Sequence, residues 1–275
     1  MCSSFDPFWS EKHFMLPWLS VLSIHIPTYF LVISAICTLG VFLLPWWAEK
    51  NGASENTASK LFLVILVTGI FGARLFHVIF EDWELYVSHP ISILFLWEGG
   101  FVFFGGALAA GVASWFWLKK SGEDFYYWAD LFAPWMALGY GLGRVGCFFN
   151  GCCYGTECHL PWAVKFPSHM NVIFPFVPRH PTQLYAFGLE VVFALILFAW
   201  SLRRNSRLEP FKNTGLLFCV WIFGHGIFRL IMEHFRDDER GGLYWGWSLS
   251  SLIAFALIGV GFWGFWARLQ KSKKH

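Results

Sequence analysis

Charged residues are scarce. Asp, Glu, Lys and Arg together make up 14% of the 275 residues, against roughly a quarter in an ordinary soluble domain, which excludes a water-facing globule. Long basic tracts are missing and the formal net charge is only +2, so no nucleic-acid partner is expected. The polar composition of a disordered chain is absent too. There is no internal repeat and no low-complexity linker, so residues 1–275 read as one integral membrane domain. No basic cluster precedes the first apolar run, which is too long for a signal-peptide core, and that run is expected to be kept in the mature protein. The usual C-x2-C pairs of a zinc site are lacking as well: Cys147, Cys152, Cys153 and Cys158 form C-x4-C-C-x4-C. Disulfide, free thiol, metal ligand and catalytic thiol all stay open for these four, and no metal or cofactor is expected. Cys37 and Cys219 sit in apolar runs and read as packing residues.

What fills the chain is apolar. Hydrophobic residues reach 56%, with 17 Trp and 32 Phe, more than a surface in water can hide. The reading is an all-α polytopic membrane protein. Seven transmembrane helices are expected, over about 17–46, 58–80, 94–118, 126–149, 183–202, 214–234 and 245–268, each near the 20 residues a span needs. Twelve Lys and Arg then fall in the loops of one side and five, namely Lys12, Lys165, Arg179, Arg236 and Arg240, on the other. The basic side should be cytoplasmic, which puts the N-terminus outside and the C-terminus in the cytoplasm. The longest loop, about 150–182, falls on the outer side. Its Gly and Pro residues break regular structure. Trp162, Phe174 and Phe176 suit a layer lying on the membrane surface.

Charges inside apolar runs carry the functional signal. Arg74, Glu98, Asp130, Arg144, Glu190, Arg229 and Glu233 all lie in or at the edge of spans, where a central Arg or Asp costs about 2.5–3.5 kcal/mol. Internal ion pairs explain single cases; three arginines point to an anion site. His225, Arg229, Glu233 and Arg236 are four, four and three apart and share one helical face. In 139–146 four glycines surround Arg144. Glycine backbone beside a guanidinium suits a phosphate, and a small-residue packing face is the alternative. The pairs Gly99-Gly100 and Gly105-Gly106 suggest a bend or broken helix.

Taken in order, these stretches resemble the bacterial prolipoprotein diacylglyceryl transferases. The likeness runs from about Tyr29 to Ser250. It includes Gly72-Ala-Arg74-Leu, Trp97-Glu-Gly-Gly100, Asp130-Leu-Phe-Ala-Pro134 and Gly143-Arg144-x-Gly146-x-Phe-x-Asn150-Gly151. It continues through Leu160-Pro-Trp162, Phe166-Pro167 and Arg179-His-Pro-Thr-Gln-Leu-Tyr185 to Phe228-Arg229-x-x-x-Glu233-x-Phe-Arg236. The resemblance implies seven helices in the bacterial inner membrane, and transfer of an sn-1,2-diacylglyceryl group from phosphatidylglycerol to the lipobox cysteine of a prolipoprotein signal peptide, releasing glycerol phosphate. It implies that Arg144 and Arg229 are the essential arginines, that Tyr29 matches a functional tyrosine, and that Asn150, Gly151 and Gly155 lie on family positions. Arg74, Glu98 and Glu233 are expected to assist substrate binding.

Three positions depart from the family pattern. A family histidine is Phe104 here, Gly-Asn-Phe becomes Gly146-Cys147-Phe148 with Cys152 replacing a following Glu, and a tyrosine before the second arginine is His225. The general base is left between His180 and His225. Two other readings stay open: a non-catalytic lipid or anion transporter, and a paralogue acting on a different thiol.

Overall fold

The computed structural model describes residues 18–21, 24–166, 177–205, 214–236 and 247–272. Among them the order is β1 (Trp18–Val21), β2 (Ile24–Pro27), α1 (Thr28–Lys50), α2 (Glu55–Phe80), α3 (Trp83–Ser88), α4 (Phe103–Lys120), α5 (Phe125–Phe149), β3 (Val164–Lys165), β4 (Pro178–Arg179), α6 (Thr182–Asn205), α7 (Leu216–His234) and α8 (Leu249–Ser272). The chain is mostly helical for the reason its composition demands: a helix pairs its own N–H and C=O groups, and hydrocarbon offers no other partner. Five helices are long and apolar enough to cross a membrane: α1, α2, α6 over Thr182–Arg203, α7, and α8 over Leu249–Gln270. The other two expected spans coincide with α4 and α5. Phe174 and Phe176 of the expected surface layer lie outside the described residues.

Two boundaries differ from expectation. The first helix starts at Thr28 rather than near residue 17, because Trp18–Val21 pairs antiparallel with Ile24–Pro27. Pro27 sets this edge: its ring disfavours a helical residue before it, and it has no N–H for a helix interior. The helix at the third expected span begins at Phe103 rather than near 94. Residues 90–98 form two 3-10 turns, after which Gly99 and Gly100 take φ of 88° and 74°. That left-handed region is open mainly to glycine, and a helix cannot continue through it. Of the bend or break expected at the two glycine pairs, Gly99-Gly100 makes a full break, whereas Gly105-Gly106 lies inside α4.

Two compact units divide the chain, Cys37–Trp128 and Met1–Ile36 with Ala129–His275. In the first, α2 packs on α4 through small residues. A Cβ on Gly72 would meet the Gly105 carbonyl oxygen at 2.8 Å, and one on Gly106 would meet that of Gly69 at 2.8 Å. The two backbones touch, as small-residue interfaces allow in lipid. In the second unit α7 packs on α8 the same way, with Gly226 against the Ala254 carbonyl and Gly261 against the Cys219 carbonyl.

Asp130, 7% exposed, explains one buried charge. Its Oδ2 accepts from the Gly215 amide at 2.8 Å and its Oδ1 from the Phe218 amide at 2.9 Å. The carboxylate thus serves the amides at the start of α7, where the helix dipole favours a negative charge. Asp130→Ala is expected to destabilise the protein by about 0.5–2 kcal/mol and Asp130→Asn by less, measured by thermal unfolding in detergent. Equal melting temperatures for all three proteins would contradict this role.

Candidate active site

The glycines around Arg144 serve packing. Residues 139–146 lie inside α5, so their amides are committed to carbonyls one turn back and are not free for a phosphate. A Cβ on Gly146 would meet Tyr29 Cδ2 at 3.2 Å, Gly143 faces Ile33, and Gly141 would meet Glu190 Cβ at 3.1 Å. One glycine face thus admits α1 and another admits α6. This corrects the expectation that backbone amides of this stretch cradle an anion.

The close approach of these helices sets the side chains around a cavity of about 450 Å³, part of it open to solvent. Arg144 from α5 and Arg229 from α7 both line it. So do His225, Glu233 and Arg236, the rest of the polar face expected on α7. The two arginines share one acceptor. Arg144 Nη2 donates to the Tyr140 hydroxyl, and Arg229 Nη1 donates to the same oxygen at 3.4 Å. The Arg144 guanidinium also lies 4.6 Å from the centre of the Tyr140 ring. A phenol is neutral, so this contact orients both guanidinium groups without cancelling their charge.

Behind Tyr140 stands a buried pair. His225 Nδ1 lies 2.5 Å from Glu190 Oε1, and the two residues are 5% and 1% exposed. The His225 ring meets Tyr140 edge-on at 4.4 Å and stacks on Trp221. With Glu190 ionised, Nδ1 carries the proton and donates it, which leaves Nε2 as the basic nitrogen. Glu233 accepts from the Ser248 hydroxyl, which also accepts from the Ser251 amide at 3.0 Å and so opens α8.

The turn after α5 closes one edge of the cavity. The Gly151 amide donates to the Phe148 carbonyl and the Cys152 amide to the Cys147 carbonyl, with Gly151 at φ 68°. This pairing is a Schellman motif, with Asn150 as the last half-helical residue. Gly155 is fixed by closeness: its amide donates to the His180 carbonyl at 2.9 Å, and a Cβ there would meet Thr182 Cγ2 at 2.7 Å and His180 Cβ at 2.9 Å. His180 does not reach the cavity wall; its Nδ1 lies 3.2 Å from the Tyr185 hydroxyl and its ring packs on Phe235.

The family model described as prolipoprotein diacylglyceryl transferase matches residues 17–267. The chain belongs to this family. It is 32% identical over 236 residues to the phosphatidylglycerol–prolipoprotein diacylglyceryl transferase of Legionella pneumophila strain Corby, covering 84% of this chain and 88% of the relative. The relative of that name from Methylobacillus flagellatus is 36% identical over 221 residues, covering 80% of each chain. That from Ectopseudomonas mendocina is 35% identical over 228 residues, covering 78% of this chain and 82% of the relative.

Two expected substrate-binding residues of this family member, and Phe104, lie in the unit Cys37–Trp128. Arg74, 4% exposed, spends every donor on the backbone: Nε on the Ile93 carbonyl, Nη1 on those of Gly99 and Gly100, and Nη2 on those of Ser92 and Phe95. A guanidinium has five N–H groups, and these five bonds use them all. Arg74 therefore holds the 90–100 turns in place. Glu98 ends the second of those turns, and its side chain lies outside the described residues. Phe104 sits in the first turn of α4, edge-on to Phe103.

Sequence reasoning noted Glu190 only as a buried charge and passed over Tyr140 and Gln183, which also line the cavity. The spacing of Tyr140, one helical turn before Arg144, was the available signal. Arg74→Lys keeps the charge but loses the carbonyl-matched fork. It is expected to cost about 1–3 kcal/mol and lower the melting temperature in detergent. An unchanged melt with weakened lipid binding would restore the substrate role.

Proposed function

We propose that this protein transfers an sn-1,2-diacylglyceryl group from phosphatidylglycerol to the cysteine thiol in the lipobox of a prolipoprotein, releasing glycerol phosphate. The observation that carries the reading is the convergence of Arg144 and Arg229 on one phenol at one cavity, in a chain of this family. Residues 1–275 form a single membrane domain of seven spans in the bacterial inner membrane. The N-terminus and the 150–182 connection lie outside, and the C-terminus lies in the cytoplasm.

The chemistry follows from charge. The acceptor thiol loses its proton, its sulfur forms a bond to the terminal glycerol carbon, and the carbon–oxygen bond to phosphate breaks. The phosphate leaves with the bonding pair. Negative charge thus grows on a phosphate oxygen, and a preorganised cation at that point lowers the barrier. Two guanidinium forks give bidentate contacts and stay charged at any physiological pH. The same field stabilises the attacking thiolate.

His225 is the base of this proposal. Glu190 pins Nδ1, so Nε2 accepts the thiol proton, and the carboxylate stabilises the imidazolium formed. His180 is assigned to the outer layer instead, through the carbonyl it offers Gly155 and its contact with Tyr185. Tyr29, Asn150, Gly151 and Gly155 shape the site by packing and capping. Glu233 near the end of α7 and Arg236 just beyond it extend the polar wall.

The test is transfer from phosphatidylglycerol to a lipobox peptide in proteoliposomes. Arg144→Gln and Arg229→Gln are each expected to lower the rate by about 100-fold or more, the range seen when one preorganised donor is lost. His225→Phe is expected to lose a comparable factor of about 10²–10⁴, with the loss shrinking as pH rises and the thiol ionises unaided. Folded Arg144→Gln and Arg229→Gln proteins that transfer at the parent rate would overturn the reading.

A further inference from the structure

Cys147, Cys152 and Cys153 have no role in the reaction above, yet the fold gathers them. Their three Sγ atoms all lie within 4.8 Å of one another, with Cys152 and Cys153 at 3.6 Å. We propose that these three thiols form a binding site for a single thiophilic d10 cation, Zn²⁺ being the reference case, at the edge of the arginine cavity.

Spacing in sequence only hints at this: C-x4-C lies at the long end of metal-ligand spacings, and the adjacent Cys153 follows no usual pattern. The geometry does. A zinc–sulfur bond of about 2.3 Å sets thiolate sulfurs near 3.8 Å apart in a tetrahedral site, and the observed triangle is close to that before any ion draws it in. Three is also the number that suits an ion. A disulfide uses two sulfurs and leaves the third unexplained.

The triangle is held by the chain around it. Cys147 ends α5, and the Schellman turn carries Cys152 back over it, with the Cys152 amide on the Cys147 carbonyl at 3.1 Å. Cys153 has φ 64°, a left-handed conformation that strains a non-glycine residue and persists where neighbours enforce it. The neighbours here belong to α6. Thr182 Oγ1 donates to the Cys153 carbonyl at 2.7 Å, and Gln183 Nε2 donates to the Cys152 carbonyl at 2.6 Å. The turn is thus clamped so that three thiols face one point.

Among the described residues no fourth His, Cys, Asp or Glu joins the group. Three thiolates leave a fourth position on a tetrahedral ion, the arrangement of an open site. Binding is balanced by proton release: one Zn²⁺ and three thiols give a tris-thiolate of net charge −1 and three protons. The Arg144 charge lies within electrostatic reach of Cys147 and Cys153 and offsets it. Cys153 also lines the cavity, so an occupied site would fix that part of its wall.

The probe is Co²⁺, whose thiolate complexes absorb in the near ultraviolet and visible. The full-length protein, reduced and stripped with chelator, is expected to bind one equivalent with a thiolate charge-transfer band, and Zn²⁺ should displace it. Cys147→Ser, Cys152→Ser and Cys153→Ser should each weaken binding by about tenfold or more, while Cys37→Ser should not. A fully reduced parent protein that gives no thiolate band overturns the proposal. So does a Cys147–Cys152 disulfide that forms on air oxidation of the reduced protein equally fast with and without Zn²⁺. The readout is spectral, so a negative result leaves the transfer reaction untouched, and loss of transfer leaves the metal result standing.

Discussion

Putting charge where water is absent is the constraint from which the rest of this structure follows. An isolated charge inside an apolar slab is costly, and the protein answers each case differently. Arg74 is wrapped by five carbonyls. Asp130 is met by two amides at a helix start. Glu190 is met by an imidazole. The chain itself supplies these partners and is stiffened by them; the second Glu190 oxygen, Oε2, has none among the described residues. Arg144 and Arg229 converge on a phenol they share, which fixes their direction at the cavity they both line. The distinction separates scaffold from site more sharply than burial does, because Arg74 is among the most buried polar residues of all.

Close packing is what makes the sharing possible. Glycines on α5 let side chains of α1 and α6 reach the α5 backbone, and α7 and α8 meet through glycines set against carbonyls. The arginines come from helices far apart in sequence, and the hydroxyl they meet at comes from a turn of helix shared with one of them. Losing a glycine on that face would displace the guanidinium groups without touching them.

Much of this was legible in sequence, and the limits have physical causes. Long apolar runs with sparse charge showed the membrane helices, since lipid imposes one pattern on all of them. The interruption at Gly99-Gly100 was visible because only glycine reaches that backbone region readily. The four-residue spacing of His225, Arg229 and Glu233 showed the polar face of α7. The hairpin ending at Pro27 was hidden because Val and Ile suit a strand and an apolar helix alike. The carbonyl cage of Arg74 could not be seen either, because backbone carbonyls leave no mark in a sequence. The glycines near Arg144 were read for their chemistry when they serve helix contact, and glycine alone cannot distinguish these uses. The meeting of Cys147, Cys152 and Cys153 depends on a Schellman turn that C-x4-C-C does not announce.

The central claim is that Arg144 and Arg229 act on one phosphate as a unit. A double-mutant cycle on phosphatidylglycerol binding tests it most directly, with the dissociation constant measured in nanodiscs for the parent, Arg144→Gln, Arg229→Gln and the double variant. The account predicts strong coupling: the double variant should bind hardly more weakly than either single one, with a coupling energy of about 1–3 kcal/mol. Losses that simply add would show that the two arginines serve separate partners, and would contradict the account.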